Sequence, residues 1–123
     1  MFKISIVGIG LIGGSLAKAM RENGFAGTII GVDNNPAHRR IAMYRGLVDE
    51  FLQLDDAVDS ADIIILATPV DTNCQLLPHV LDRIINTGKV VTDMGSTKAD
   101  IAAMVSGHHG RGRYVSAHPM AGT

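Results

Sequence analysis

Cysteine occurs once in the 123 residues, at Cys74, so no internal disulfide can hold the chain. A reducing compartment agrees with that count. Tryptophan is missing and aromatic residues make up only 4% of the chain, which leaves the core to aliphatic side chains. Neither sign of charge is in excess: eleven Lys and Arg stand against twelve Asp and Glu. That balance excludes a broad electrostatic attraction to nucleic acid or to an anionic membrane, and it points to a small-molecule partner. Long apolar runs are lacking too, since the longest, Ile63 to Ala67, falls far short of the roughly 20 residues that span a bilayer. No charged leader precedes the first apolar residues, so the expected location is cytoplasmic. There are no internal repeats and no low-complexity segments. The length suits one domain, large enough to bury its own core.

What the sequence does contain is a β-branched run followed at once by glycines. Ile4, Ile6 and Val7 suit a buried strand, and Gly8, Gly10 and Gly13 follow before an Ala/Leu-rich helical stretch. In such a turn the first glycine allows the tight bend and the second lets the backbone approach a diphosphate. The third lets the helix pack close. The helix start, at Leu11 and Ile12, then offers free N–H groups and the positive end of the helix dipole to an anion. Gly14 is also small enough to serve close packing.

A glycine turn alone also serves as a plain connector; its surroundings give this one more meaning. A second strand, Thr28 to Val32, ends in Asp33, twenty positions after Gly13. This is the βαβ spacing in which an acidic residue holds the ribose hydroxyls of a dinucleotide. The same carboxylate would repel a 2′-phosphate, which favours NAD over NADP. Two other readings stand beside this one. Asp33 could cap the turn at Asn34-Asn35-Pro36, and Arg39 or Arg40 could neutralise a phosphate if turned inward.

Further along, helices are expected over Leu11 to Asn23 and Pro36 to Arg45, each closed by a glycine, Gly24 and Gly46. A short strand is expected near Phe51, a helical turn over Asp55 to Ser60, and buried strands over Ile63 to Ala67 and Lys89 to Asp93. Between those strands a helix should begin near Asp71 or Thr72, either able to cap it, and Pro78 should kink or restart it. A helix over Ala99 to Val105, a loop carrying His108 and His109, and a last strand over Tyr114 to Ala117 complete the pattern. Strands alternating with helices predict an α/β, doubly wound parallel sheet of order 3-2-1-4-5-6. Its carboxyl ends would gather four turns: the glycine turn, Thr68-Pro69-Val70, Gly95-Ser96-Thr97-Lys98 and His118-Pro119.

Those four turns, with Gly14-Ser15-Leu16-Ala17, Asp93-Met94 and Met120-Ala121-Gly122-Thr123, resemble the N-terminal Rossmann-type domain of prephenate dehydrogenase. The resemblance runs over nearly the whole chain, and the turns at Gly95 and His118 are its discriminating parts. It implies NAD-dependent oxidative decarboxylation of prephenate to 4-hydroxyphenylpyruvate, in tyrosine biosynthesis. It assigns His118 to accept the proton of the substrate hydroxyl, and Ser96 to orient that histidine and border the nicotinamide. For Ser96 a helix cap is the alternative, and for His118 a strand-end histidine bonded to backbone. Lys98 would bind a substrate carboxylate or simply be solvated. Thr68 and Pro69 would wall the nicotinamide ribose or merely end their strand. The expected cofactor contacts are thus Gly8, Gly10, Leu11, Ile12, Gly13, Asp33, Thr68 and Pro69.

The family carries a second, helical domain that dimerises and completes the substrate site. Residues 1–123 are therefore expected to be the cofactor half of a homodimeric enzyme, slow or inactive alone and exposing apolar surface near the last strand. Arogenate dehydrogenase and a non-catalytic NAD-binding module are the competing readings. No metal is expected, because His108 and His109 lack cysteine or acidic neighbours. His38 and His79 fall on expected helices without partners, Cys74 is expected to pack as a small hydrophobe, and Arg111 and Arg113 to face water.

Overall fold

The structure, a computed structural model, describes residues 2–94 and 113–116. Its sheet contains β1 (Phe2–Val7), β2 (Ala26–Val32), β3 (Glu50–Phe51), β4 (Ile63–Leu66), β5 (Val90–Asp93) and β6 (Tyr114–Ser116). Their order is β3-β2-β1-β4-β5-β6, and every neighbouring pair is parallel. The helices are α1 (Leu11–Glu22), α2 (Pro36–Tyr44), α3 (Leu54–Ser60) and α4 (Val70–Ile84). The expected doubly wound α/β sheet is therefore present, with its expected strand order. The turns and helix expected within residues 95–112, and the last turn at 117–123, lie outside the described residues.

Alternation along the strands sorts the aliphatic side chains into two cores. Ile4 and Ile6 of β1, with Ile65 of β4, pack against Ala17 and Met20 of α1 and Ala42 of α2. Val7, Ile64 and Leu66 point the other way, against Val58 of α3 and Leu77, Val80, Leu81 and Ile84 of α4. A strand covered on both faces needs apolar residues at every position. This is why Ile63 to Leu66 reads as an unbroken apolar run.

Two helix ends follow the sequence closely. Gly24 and Gly46 adopt φ of +69° and +66° just past α1 and α2, the left-handed conformation that glycine reaches without a Cβ penalty. Asn35 caps α2 by accepting from the N–H groups of Ala37 and His38, and Pro36 follows at the first helical position.

α4 corrects the sequence reading at its cap and narrows it at Pro78. It begins at Val70, next to Asp71, with Pro69 at its cap position and no capping side chain, so neither Asp71 nor Thr72 caps it. The entry is pinned from inside the helix instead, where the Asn73 amide oxygen accepts the Thr68 N–H at 3.1 Å. Pro78 also lies within one continuous helix rather than restarting it. An internal proline costs about 3 kcal/mol. The four fully buried residues Leu77, Val80, Leu81 and Ile84 outweigh that cost, at roughly 1.5–3 kcal/mol each.

Candidate functional site

At the carboxyl end of the sheet, β1 runs into the glycine turn. Gly8 has φ of +95°, and a Cβ there would stand 2.8 Å from Thr68 Cγ2, so both backbone conformation and space require glycine. Gly13 is constrained more tightly. A Cβ on it would lie 2.0 Å from the Gly8 carbonyl oxygen, which means that α1 sits directly on the turn that precedes it. Gly10 is open by comparison, since its missing Cβ would meet only His38 Cε1, at 3.8 Å. Gly10 is also the cap residue of α1, with no side-chain hydrogen bond at that helix end and no acidic residue in the first turn. This is an uncapped, positively polarised helix start beside an approachable backbone.

Asp33, one residue past β2, faces the same turn. Its Oδ2 accepts the Ile9 N–H at 2.9 Å and its Oδ1 accepts the Asn35 N–H at 2.8 Å. The carboxylate therefore closes the Asn34-Asn35 turn and also ties β2 to the glycine turn. The turn-capping reading applies to it, and the same residue lines the cleft beside the glycine turn. Burial pushes the Asp33 carboxyl upward, but hydrogen bonds from Asn35, His38 and Ile9 outweigh that and hold it below its ordinary value of 3.8. At neutral pH it is an anion poised at the mouth of the cleft.

Of the expected cofactor residues, Gly8, Gly10, Asp33, Thr68 and Pro69 line one cleft of about 550 Å³. Leu11 instead borders a neighbouring groove of about 950 Å³ between α1 and α2. The Leu11 and Ile12 side chains are exposed, so their contribution to an anion would come from the backbone at the start of α1. Gly13 lies beneath the turn. Ser96, Lys98 and His118 lie outside the described residues, as do His108, His109 and Arg111.

Two features of this site were missed from the sequence. His38 does have a partner: its Nδ1 lies 2.9 Å from Asp33 Oδ2. The signal was its place in the first turn of a helix capped by Asn35, which aims it back at the end of β2. His79 is partnered as well, through Nε2 to Asp55 Oδ1 at 2.6 Å, but on an exposed surface away from the cleft. The second missed feature is the buried amide of Asn73. Its oxygen accepts from the Thr68 N–H and hydroxyl, and its nitrogen donates to Asp93 and to the Leu66 carbonyl. Asn73 occupies a buried position on the same side of α4 as Leu77, Val80, Leu81 and Ile84. A polar residue in that apolar row was the available signal.

Arg39, one of the two arginines that could have met a phosphate, lies with its guanidinium 5.5 Å from the centre of the Phe51 ring. That ring in turn packs on Gly31, where a Cβ would come within 2.5 Å of it. Among the described residues no cluster of three His, Cys, Asp or Glu could hold a metal, and no helix is long and apolar enough to cross a membrane.

The family profile described as prephenate dehydrogenase, nucleotide-binding domain, matches residues 16–123. The chain belongs to this family. Prephenate dehydrogenase from Lactococcus lactis subsp. cremoris is 34% identical over 125 residues, covering all of this chain and 35% of that protein. The Bacillus subtilis prephenate dehydrogenase is 35% identical over 124 residues, covering 98% of this chain and 33% of the relative. The chain thus spans about a third of the length of these relatives. Among solved structures, prephenate dehydrogenase from A. aeolicus, crystallised with hydroxyphenyl propionate and NAD+, superposes with a TM-score of 0.70 at 32% identity. That match covers the whole of this chain and 43% of the other.

Proposed function

We propose that the chain is the NAD-binding part of a prephenate dehydrogenase acting in tyrosine biosynthesis. The observation that carries this reading is the Asp33 carboxylate, anchored to the glycine turn by the Ile9 N–H and lining one cleft with Gly8, Gly10, Thr68 and Pro69. The residues present fit a dinucleotide. The open face of Gly10 and the uncapped start of α1 suit a diphosphate, and an anionic Asp33 suits a ribose diol while opposing a 2′-phosphate. Membership of the family, and the NAD+ held by the A. aeolicus structure, support the same cofactor.

Bound in the cleft, NAD supplies the acceptor for the hydride that leaves the ring carbon bearing the hydroxyl. The chain's own residues would then act as follows. His118 takes the hydroxyl proton as the C–H bond breaks, a task suited to an imidazole that is largely neutral at working pH. The ring carboxylate departs as carbon dioxide, and the ring becomes aromatic. Ser96 orients His118, and Lys98 holds a substrate carboxylate. Thr68 and Pro69 form the wall beside the nicotinamide ribose. In this reading residues 1–123 are one dinucleotide-binding domain, and a helical domain, the homodimer interface and the rest of the substrate site belong to the longer enzyme, in the cytoplasm.

Calorimetric titration with NAD and NADP, on the wild type and Asp33→Ala, tests the cofactor assignment. NAD should bind more tightly than NADP, and the preference should collapse in the variant; equal affinities for the two nucleotides in the wild type would refute it. Turnover of prephenate and of arogenate by the enzyme with its helical domain, with and without His118→Asn, tests the chemistry. An unaffected rate in that variant would remove His118 from the chemistry, and no turnover of either substrate by the wild type would leave only a nucleotide-binding module.

A further inference from the structure

Asp33 already holds one hydrogen bond more than a ribose would leave room for. An ionised carboxylate offers about four lone-pair positions, two on each oxygen. Backbone N–H groups take one on each, from Ile9 on Oδ2 and from Asn35 on Oδ1. What remains is one position per oxygen, the complement of a vicinal diol. His38 Nδ1 fills the remaining position on Oδ2.

The placement of the ring adds to this. His38 Cε1 lies over Gly10, and the residue lines both the cleft and the neighbouring groove. The side chain is 43% exposed, and Nε2 has no hydrogen-bond partner among the described residues. The imidazole can therefore swing into solvent at the cost of a single hydrogen bond. The backbone N–H donors cannot move in this way, because the turn and the first residues of α2 fix them.

We infer that His38 is a gate on the ribose position of Asp33, closed in the free protein and opened when a ribose hydroxyl replaces the imidazole on Oδ2. This inference rests on the cleft being an NAD site. A protein that must first open binds with its affinity reduced by the open fraction. A hydrogen bond of ordinary net strength sets that reduction at about fivefold.

The test is titration of the chain with NAD by calorimetry and stopped-flow, using wild type, His38→Ala and His38→Leu, each also in the Asp33→Asn background. Both single variants should bind NAD about fivefold more tightly, with the gain in the association rate and dissociation unchanged. The gain should disappear in the Asp33→Asn background, because there is no longer a carboxylate for the imidazole to block. Unchanged or weaker binding in the single variants would overturn the gate, and a gain in His38→Ala alone would also do so by placing the obstruction over Gly10. A gain that persists without the Asp33 carboxylate would overturn it as well. If the wild type binds NAD and the variants gain nothing, only the gate falls. If no form binds NAD, the cofactor reading falls with it.

Discussion

The two ends of the cleft are built differently. At the Asp33 end the parts are backbone conformations and a carboxylate satisfied by the N–H groups of Ile9 and Asn35, with the partly exposed His38 as its side-chain partner. At the Thr68 end a buried amide reaches from α4 to Thr68, two residues past β4, and to the end of β5. Both Asn73 and Asp93 are fully buried there. The first end can exchange partners with a ligand at small cost. The second cannot, because a buried polar group that loses a partner has no water to replace it. The Thr68 end is therefore the fixed wall of the cleft, and the Asp33 end is the side that adapts.

The sharpest way to break this contrast is at the glycine turn, where even the adaptable end has a rigid base. Gly13→Ala forces a Cβ against the Gly8 carbonyl and should cost about 3 kcal/mol. It should also abolish NAD binding, and urea denaturation with titration would measure both effects. Next in size is Asn73→Leu, which deprives Thr68 and Asp93 of a buried partner and should cost about 2 kcal/mol. A denaturation midpoint unchanged by that substitution would show that the wall does not depend on the amide.

Asp33→Asn should be milder for stability, about 1 kcal/mol, yet should weaken NAD binding about tenfold through loss of the charge-assisted bonds. It should also reshape the acid limb of the stability curve. The Asp33 carboxyl is held below 3.8 in the folded state, so its contribution is complete above that value and disappears as pH falls through the lower folded one. Asp49 behaves in the same sense: the Ile29 N–H pulls it down, burial opposes this, and Arg21 adds to the lowering. The wild type should accordingly lose stability more steeply than Asp33→Asn below about pH 4, as thermal melts across that range would record. The smallest effect is expected from His79→Ala. Its pairing with Asp55 is half exposed and remote from the cleft, so the change should stay under about 0.5 kcal/mol with NAD affinity unaltered. This is the control for His38, a histidine and aspartate at a similar distance but placed where a ligand competes.

Much of the Asp33 end of the cleft is legible in the sequence because its determinants are local. Gly8 is demanded by its own positive φ and Gly13 by the Gly8 carbonyl five residues back, and Asp33 is placed by the length of one helix and one strand. Gly24, Asn35 and Gly46 mark their helix ends for the same reason. The error at Asp71 and Thr72 comes from treating a helix start as a local matter too. Its entry is decided by Asn73 reaching back to Thr68 under the constraint of a neighbouring strand.

The sequence alone thus determined the order of strands and helices, the glycine turn and the acidic residue that faces it, since short-range sterics and periodicity encode all three. Only the tertiary structure decided that His38 closes on Asp33 and that Asn73 links Thr68 to Asp93. The first pairing depends on how α2 leaves β2, which aims the His38 ring back at the carboxylate, and the second on β4 and β5 lying side by side. For the second pairing, linear spacing carries no such information until β4 and β5 have packed.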